Sequence, residues 1–139
     1  MKKLFTSLFL LTLISLTGCK AQTKISSKKN NYVVLTRKLP QLKPILLAAE
    51  ELKMEDAHKF GEFHIVVCGQ TVSELTNPEA MEEFMKQVTD IGVKMNACGF
   101  SLKKFKVNTE ELPDGIKVVE NGILHNLQLQ KKGYISLEL

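Results

Sequence analysis

The chain has 139 residues, 44% of them hydrophobic, and a formal charge of +4 that six lysines within the first 29 positions more than account for. Residues 30 to 139 carry 13 Lys or Arg against 15 Asp or Glu, a mildly acidic −2, so a nucleic-acid role loses the basic stripe it would need. Such a length suits one domain with one core, near the smallest size at which an α/β sheet is stable alone.

Lys2 and Lys3 precede an apolar run from Leu4 to Leu16 that is diluted only by Thr and Ser. The run is short for a membrane span and lies at the amino terminus, so residues 1–18 read as a signal peptide. Its closing segment, Leu16-Thr17-Gly18-Cys19, resembles the bacterial lipobox, in which cleavage before the cysteine leaves lipid on that residue. Cys19 is therefore the expected lipidation site, and several acyl chains on one residue give durable anchoring. Lys20 follows it, with no aspartate to suggest inner-membrane retention. The expected location is the bacterial cell envelope, lipid-anchored and periplasm-facing, at the outer membrane. Residues 19–31 are polar and lack apolar periodicity, as a tether would be.

From residue 32 onward strands and helices alternate. Tyr32 to Thr36 predicts a first strand, and a helix begins at Lys43 or Pro44 and runs to about Leu52, with Pro in its first turn. Phe63 to Cys68 is nearly all apolar, which suits a strand covered on both faces, and Gly69 ends it. Asn77-Pro78 caps a helix whose Met81, Phe84, Met85, Val88 and Ile91 recur at helical spacing, with Gly92 just past its end. Val93 to Cys98 is the third strand, and Gly99 to Lys104 turns into a short helix. Asn108 and Glu111 resemble a capping box. Gly115 to Val119 is a fourth strand. Ile123 to Lys131 is a helix with Ile123, Leu124 and Leu127 as its expected inner face, and Tyr134 to Leu139 a final strand. Helices between successive strands are what parallel pairing requires. The expected fold is a three-layer α/β/α sandwich with a mostly parallel five-stranded sheet over residues 32–139, its strand order unreadable from the pattern.

Two domain cysteines end predicted strands. Cys98 meets the start of the next helix, at the sheet edge where α/β folds bind ligands, and such a position favours thiolate over thiol. Strand alternation puts Lys94, Asn96 and Cys98 on one face and Val93, Met95 and Ala97 on the other. Gly99, Ser101, Lys103 and Lys104 favour an exposed, electropositive setting for the thiol. Cys68 lies on the same rim and reads as a packed small hydrophobe, an auxiliary thiol or a disulfide partner of Cys98. The disulfide needs neighbouring strands, because an intervening one would exceed the bridging limit of roughly 7 Å. His58, His64 and His125 lack metal-ligand spacing and read as surface or packing residues. No phosphate loop, nucleophile elbow, metal motif or cofactor motif is present.

Gly92-Val93-Lys94-Met95-Asn96-Ala97-Cys98-Gly99-Phe100-Ser101-Leu102 resembles a segment of the DsrE-like family, Gly-Val-x-hydrophobic-x-Ala-Cys-x-x-Ser/Thr-Leu. Leu112-Pro113-Asp114-Gly115-Ile116-Lys117-Val118-Val119, Asn121-Gly122-Ile123 and Leu129-Gln130-Lys131-Lys132-Gly133-Tyr134 are similar to its later segments, in the same order. The resemblance implies a flavodoxin-like strand order 2-1-3-4-5, with one strand between those ending at Cys68 and Cys98. It also implies a homo-trimer or hexamer, and Cys98 as a sulfur acceptor that exchanges persulfide sulfur with a donor or acceptor protein. Cys68 stands where relatives often carry His before Gly.

Three readings of function follow. In the first, Cys98 takes up and yields sulfane sulfur as a persulfide, chemistry that needs no general base because a thiolate exchanges sulfur directly. In the second, the domain is a binding or scaffold module with a packed Cys98. In the third, Cys68 and Cys98 act together in thiol redox chemistry. A cytoplasmic transfer-RNA relay does not carry over to an envelope-tethered form.

Overall fold

The computed structural model describes residues 28–139; the leader and Cys19 lie outside them. Five strands alternate with four α-helices: β1 (Asn30–Thr36), α1 (Leu42–Asp56), β2 (Phe60–Val67), α2 (Pro78–Ile91), β3 (Lys94–Cys98), α3 (Gly99–Lys104), β4 (Ile116–Val119), α4 (Gly122–Lys131) and β5 (Ile135–Glu138). All four pairings are parallel, with helices on both faces of the sheet. The first strand begins at Asn30, two residues before its expected start, and α1 runs one turn past Leu52. The loop before α2 is a 3-10 segment, Gln70–Thr76.

Local signals end the elements where the residues suggest. Asn77 Oδ1 accepts the Ala80 N–H at 3.2 Å and Pro78 opens α2. Gly92 then closes it at φ 86°, a left-handed backbone that residues with a Cβ rarely adopt. Asn108 and Glu111 do interact, through Asn108 Nδ2 and Glu111 Oε1 at 3.2 Å, at the head of a 3-10 turn.

The strand order is β4-β3-β2-β1-β5, which corrects the expected 2-1-3-4-5. The reason lies in which face each helix covers. Parallel crossovers keep one hand, so helices on the same face carry successive strands in the same direction. The 2-1-3-4-5 order needs the first helix alone on its face. Here Leu42, Ile45, Leu46 and Ala49 of α1, Met81, Val88 and Ile91 of α2 and Leu102 of α3 share one core with Val34, Phe63, Ile65, Val67 and Met95. Among the described residues only α4 lies on the opposite face, where Leu129 packs on Val33, Leu35, Val66, Cys68 and Cys98. β2 and β3 are therefore immediate neighbours.

The expected inner face of α4 is a second correction. Ile123, Leu124 and Leu127 are 54%, 51% and 50% exposed, while Gly122, Asn126 and Leu129 are buried. Small and polar residues face the sheet because the helix sits close to it: a Cβ at Gly122 would fall 2.5 Å from Cys68 Sγ. Asn126 Oδ1 also accepts from Ser136 Oγ at 3.1 Å, tying the helix to β5. No helix among the described residues is long and apolar enough to cross a membrane.

Candidate functional site

The two domain cysteines meet at the carboxyl rim of the sheet. Val67 pairs with Ala97 in the β2–β3 register, so the next step sets Cys68 opposite Cys98. Both side chains point to the α4 face and into one small core. The Cys68 N–H donates to Thr36 O at 3.0 Å, which extends the sheet bonding past the end of β2. Gly69 then turns away at φ 75°.

Backbone around Cys98 is drawn tight by two glycines. At Gly99 a Cβ would stand 3.1 Å from the carbonyl oxygens of Val119 and Glu120, so the β4–α4 link can lie directly on the start of α3. Phe100 N–H donates to Glu120 O at 3.0 Å and holds that link down. Asn121 caps α4 through Oδ1, accepting from Ile123 and Leu124 N–H at 3.1 Å each. The result aims the Gly122 N–H at Cys98 Sγ, 3.3 Å away.

This surrounding set favours a thiolate at Cys98. Burial alone would raise its pKa, but hydrogen bonds from the Ser101 hydroxyl, Gly122 N–H, Ser101 N–H and the Cys68 thiol outweigh it and hold it below the ordinary value. Ser101 is itself oriented, since its Oγ accepts the Gly69 N–H at 2.9 Å and leaves its proton for the sulfur. Cys68 goes the other way. Burial first, then the negative charge of Cys98 and the hydrogen bond to it, push its thiol up to about 12. One sulfur is poised to ionise while its neighbour stays protonated.

The exposed, lysine-lined setting expected for Cys98 is not what the structure shows. Cys98 is 5% and Cys68 4% exposed. Gly122 and its helix lie over both sulfurs, and hydrogen-bond donors rather than Lys103 and Lys104 set the thiolate. Lys104 instead lies over the Phe105 ring, 5.5 Å from its centroid. The cation at the rim is Arg37, which pairs with Glu138 and is felt electrostatically by Cys68. Ser101 was expected beside the thiol, though not as a hydrogen-bond donor to it, and nothing in the sequence assigned Gly122 to the sulfur. Arg37 carried no signal beyond following a strand.

Toward the amino ends of β2 and β3 is a partly exposed polar cluster. Glu62 bonds Lys94, Tyr134 and His64, the last at 3.1 Å from Nε2, and these bonds lower its carboxyl to about 2. Asn96 Nδ2 lies 3.4 Å from His64 Nδ1, and the rings of His64 and His125 are 5.8 Å apart. Burial lowers both histidines, so each favours its neutral form. His58 lies in a separate exposed turn. Among the described residues no group of three His, Cys, Asp or Glu could hold a metal ion.

The profile of the DsrE/DsrF-like family matches residues 45–137, which spans α1 to β5 and includes both rim cysteines. The chain belongs to the DsrE/DsrF-like family. Two solved structures share the DsrE-like fold. One is MTH1491 from Methanobacterium thermoautotrophicum, a protein of unknown function, at 18% identity and TM-score 0.66, covering 81% of this chain and 100% of that one. The other is BT1422 from Bacteroides thetaiotaomicron, also of unknown function, at 18% identity and TM-score 0.60, covering 79% and 95%. No curated protein matches the chain. For a DsrE-like domain, family membership points to a sulfur-relay-related role.

Proposed function

We propose that this DsrE-like protein carries sulfane sulfur as a persulfide on Cys98, at the cell envelope. The reading rests above all on the donors that converge on Cys98 Sγ from Ser101 and Gly122, which make it the stronger nucleophile of the two thiols at neutral pH. In the uptake step the Cys98 thiolate attacks the outer sulfur of a persulfide or polysulfide. A sulfur–sulfur bond forms, the donor's own bond breaks, and the donor leaves as a thiolate or shortened polysulfide. Yielding the sulfur to an acceptor thiol is the same exchange in reverse. Cys98 is 5% exposed, so uptake requires a small donor and an opening of the rim above it.

Anchoring belongs to the same reading: lipid on Cys19 holds the domain to the membrane, supported by the leader and its lipobox-like end. Self-association is part of it too. Ile123, Leu124 and Leu127 form an apolar face on α4 that the described residues leave uncovered, as a surface for further copies in a homo-trimer or hexamer would be.

The test is intact mass after anaerobic polysulfide treatment of the full chain carrying Cys19→Ser. The carrier reading expects sulfur uptake that requires Cys98, read as a persulfide adduct of about 32 Da when Cys68 is also replaced. A folded protein that takes up no sulfur at residue 98, even with Cys68 replaced, would leave only the scaffold reading. Palmitate labelling that survives Cys19→Ser would remove the anchor.

A further inference from the structure

We infer that Cys68 is a resolving thiol: it attacks the persulfide on Cys98, releases the carried sulfur as sulfide and leaves a Cys68–Cys98 disulfide. The inference rests on the carrier reading and extends it, turning a passive carrier into a domain that reduces the sulfur it accepts. Its first support is register. The two residues face each other on adjacent parallel strands, one step past the Val67–Ala97 pair, with both sulfurs on the α4 side. Neighbouring strands lie about 4.8 Å apart, within the Cα separation of roughly 4.4–6.8 Å that a disulfide spans. Both side chains pack in one small buried core against Gly122, so the attacking atom needs little movement.

The second support is what lies above them. A Cβ on Gly122 would meet Cys68 Sγ at 2.5 Å and Cys98 Cβ at 3.1 Å. The helix backbone rests against both sulfurs, and a third sulfur on Cys98 is crowded between Gly122 and Cys68. Crowding of that kind favours the exchange that expels it. No other thiol is within the described domain, since Cys68 and Cys98 are its free cysteines.

The step balances. Cys68 Sγ bonds to Cys98 Sγ, the bond from Cys98 Sγ to the outer sulfur breaks, and that sulfur takes both electrons of the broken bond. The Cys68 proton leaves with it as hydrosulfide. The sulfane sulfur is reduced by two electrons and the two thiols are oxidised to the disulfide. An external dithiol then restores both thiols by exchange. The different acidities fit this division of labour: Cys98 takes up sulfur as a thiolate, while Cys68 keeps its proton until the departing sulfur needs one.

The experiment is anaerobic polysulfide treatment of the full Cys19→Ser chain, followed by intact mass with and without a dithiol. With both rim cysteines present, the expected product is about 2 Da lighter than the reduced chain, and dithiol restores the mass. With Cys68→Ser or Cys68→Ala the expected product is about 32 Da heavier and stable. With Cys98→Ser neither change appears. A chain with both thiols that rests at the heavier mass overturns the resolving role and leaves the carrier reading standing. Absence of the heavier species in both folded Cys68 variants overturns the carrier reading, and this inference with it. A heavier Cys98→Ser product would show that Cys68 takes up sulfur, reversing the assigned roles.

Discussion

Ser101 is the residue on which the acidity of Cys98 turns, because its oxygen accepts from Gly69 N–H while its proton is directed at the sulfur. A hydrogen bond to an ion is worth about 1.5–3 kcal/mol, so removing this one shifts the thiol–thiolate balance strongly. Ser101→Ala is expected to slow alkylation of Cys98 at pH 7 by about tenfold, the effect of the lower end of that range. Site-resolved peptide mass spectrometry over a pH series measures it, and an unchanged profile would mean the backbone donors suffice alone. The same series separates the two thiols. Cys98 should react in a lower pH range than Cys68, whose ionisation is pushed up to about 12 by burial and by its anionic neighbour. Cys98 was legible as a site because a cysteine at a strand end followed by glycine and a helix start is a local pattern. Ser101 was legible as a neighbour, but its donor role was not, since Gly69, which orients it, and Gly122, the other donor, reach the site from other elements.

Helix α4 shows how hydrophobic periodicity can point to the wrong face. Ile123, Leu124 and Leu127 form the more apolar stripe, yet Gly122, Asn126 and Leu129 are the residues turned to the sheet. Distance explains it: a helix that rests its backbone on two sulfurs needs a residue without a side chain at that contact. Gly122→Ala is therefore expected to cost about 1–3 kcal/mol, the usual penalty of overpacking. Urea titration reads the loss. In a Cys68→Ala background, where the nearest clashing atom is gone, the cost should shrink, with a coupling of about 0.5 kcal/mol or more. Additive effects would mean that the contact to Cys68 does not set the helix height. Toward the amino ends of the strands, Glu62 joins β2 to Lys94 of β3 and to Tyr134 just before β5. Hydrogen bonds from Lys94, Tyr134 and His64 lower its carboxyl from 4.5 to about 2. A carboxylate held low in the folded state contributes stability that is fully present above its unfolded pKa and is lost as pH falls through the folded one. Glu62→Gln should accordingly flatten the acid side of the stability profile between pH 4.5 and about 2, in urea midpoints measured across that window. An unchanged slope there would show that these partly exposed bonds are screened by solvent.

At the scale of the whole molecule, alternating strand and helix made the parallel three-layer fold legible, whereas the sheet order depended on the face chosen by each helix. That choice follows from how α1 packs beside α2, a contact that no local pattern encodes. Among the described residues the same arrangement leaves α4 as the sole helix on its face, with its apolar stripe outward. Edge strand β5 is also bare: Ile135 and Leu137 are 61% and 54% exposed, and with Leu139 they line an apolar groove of about 510 Å³ beside α1. Uncovered apolar side chains do not strengthen a monomer, so stripping the α4 stripe of its hydrophobicity should spare the fold. Ile123→Glu with Leu127→Glu is expected to leave the urea midpoint of the monomer nearly unchanged, surface substitutions costing about 0.5 kcal/mol or less. The same pair should dissociate any assembly built on that face, because each buried charge would lack a partner. Sedimentation in detergent that masks the leader provides the comparison: a trimer or hexamer for the parent chain and a monomer for the double variant. A parent chain that sediments as a monomer at micromolar concentration would remove the assembly. The α4 stripe would then be free for another partner, and the carrier chemistry at Cys98 would have to run within a single copy.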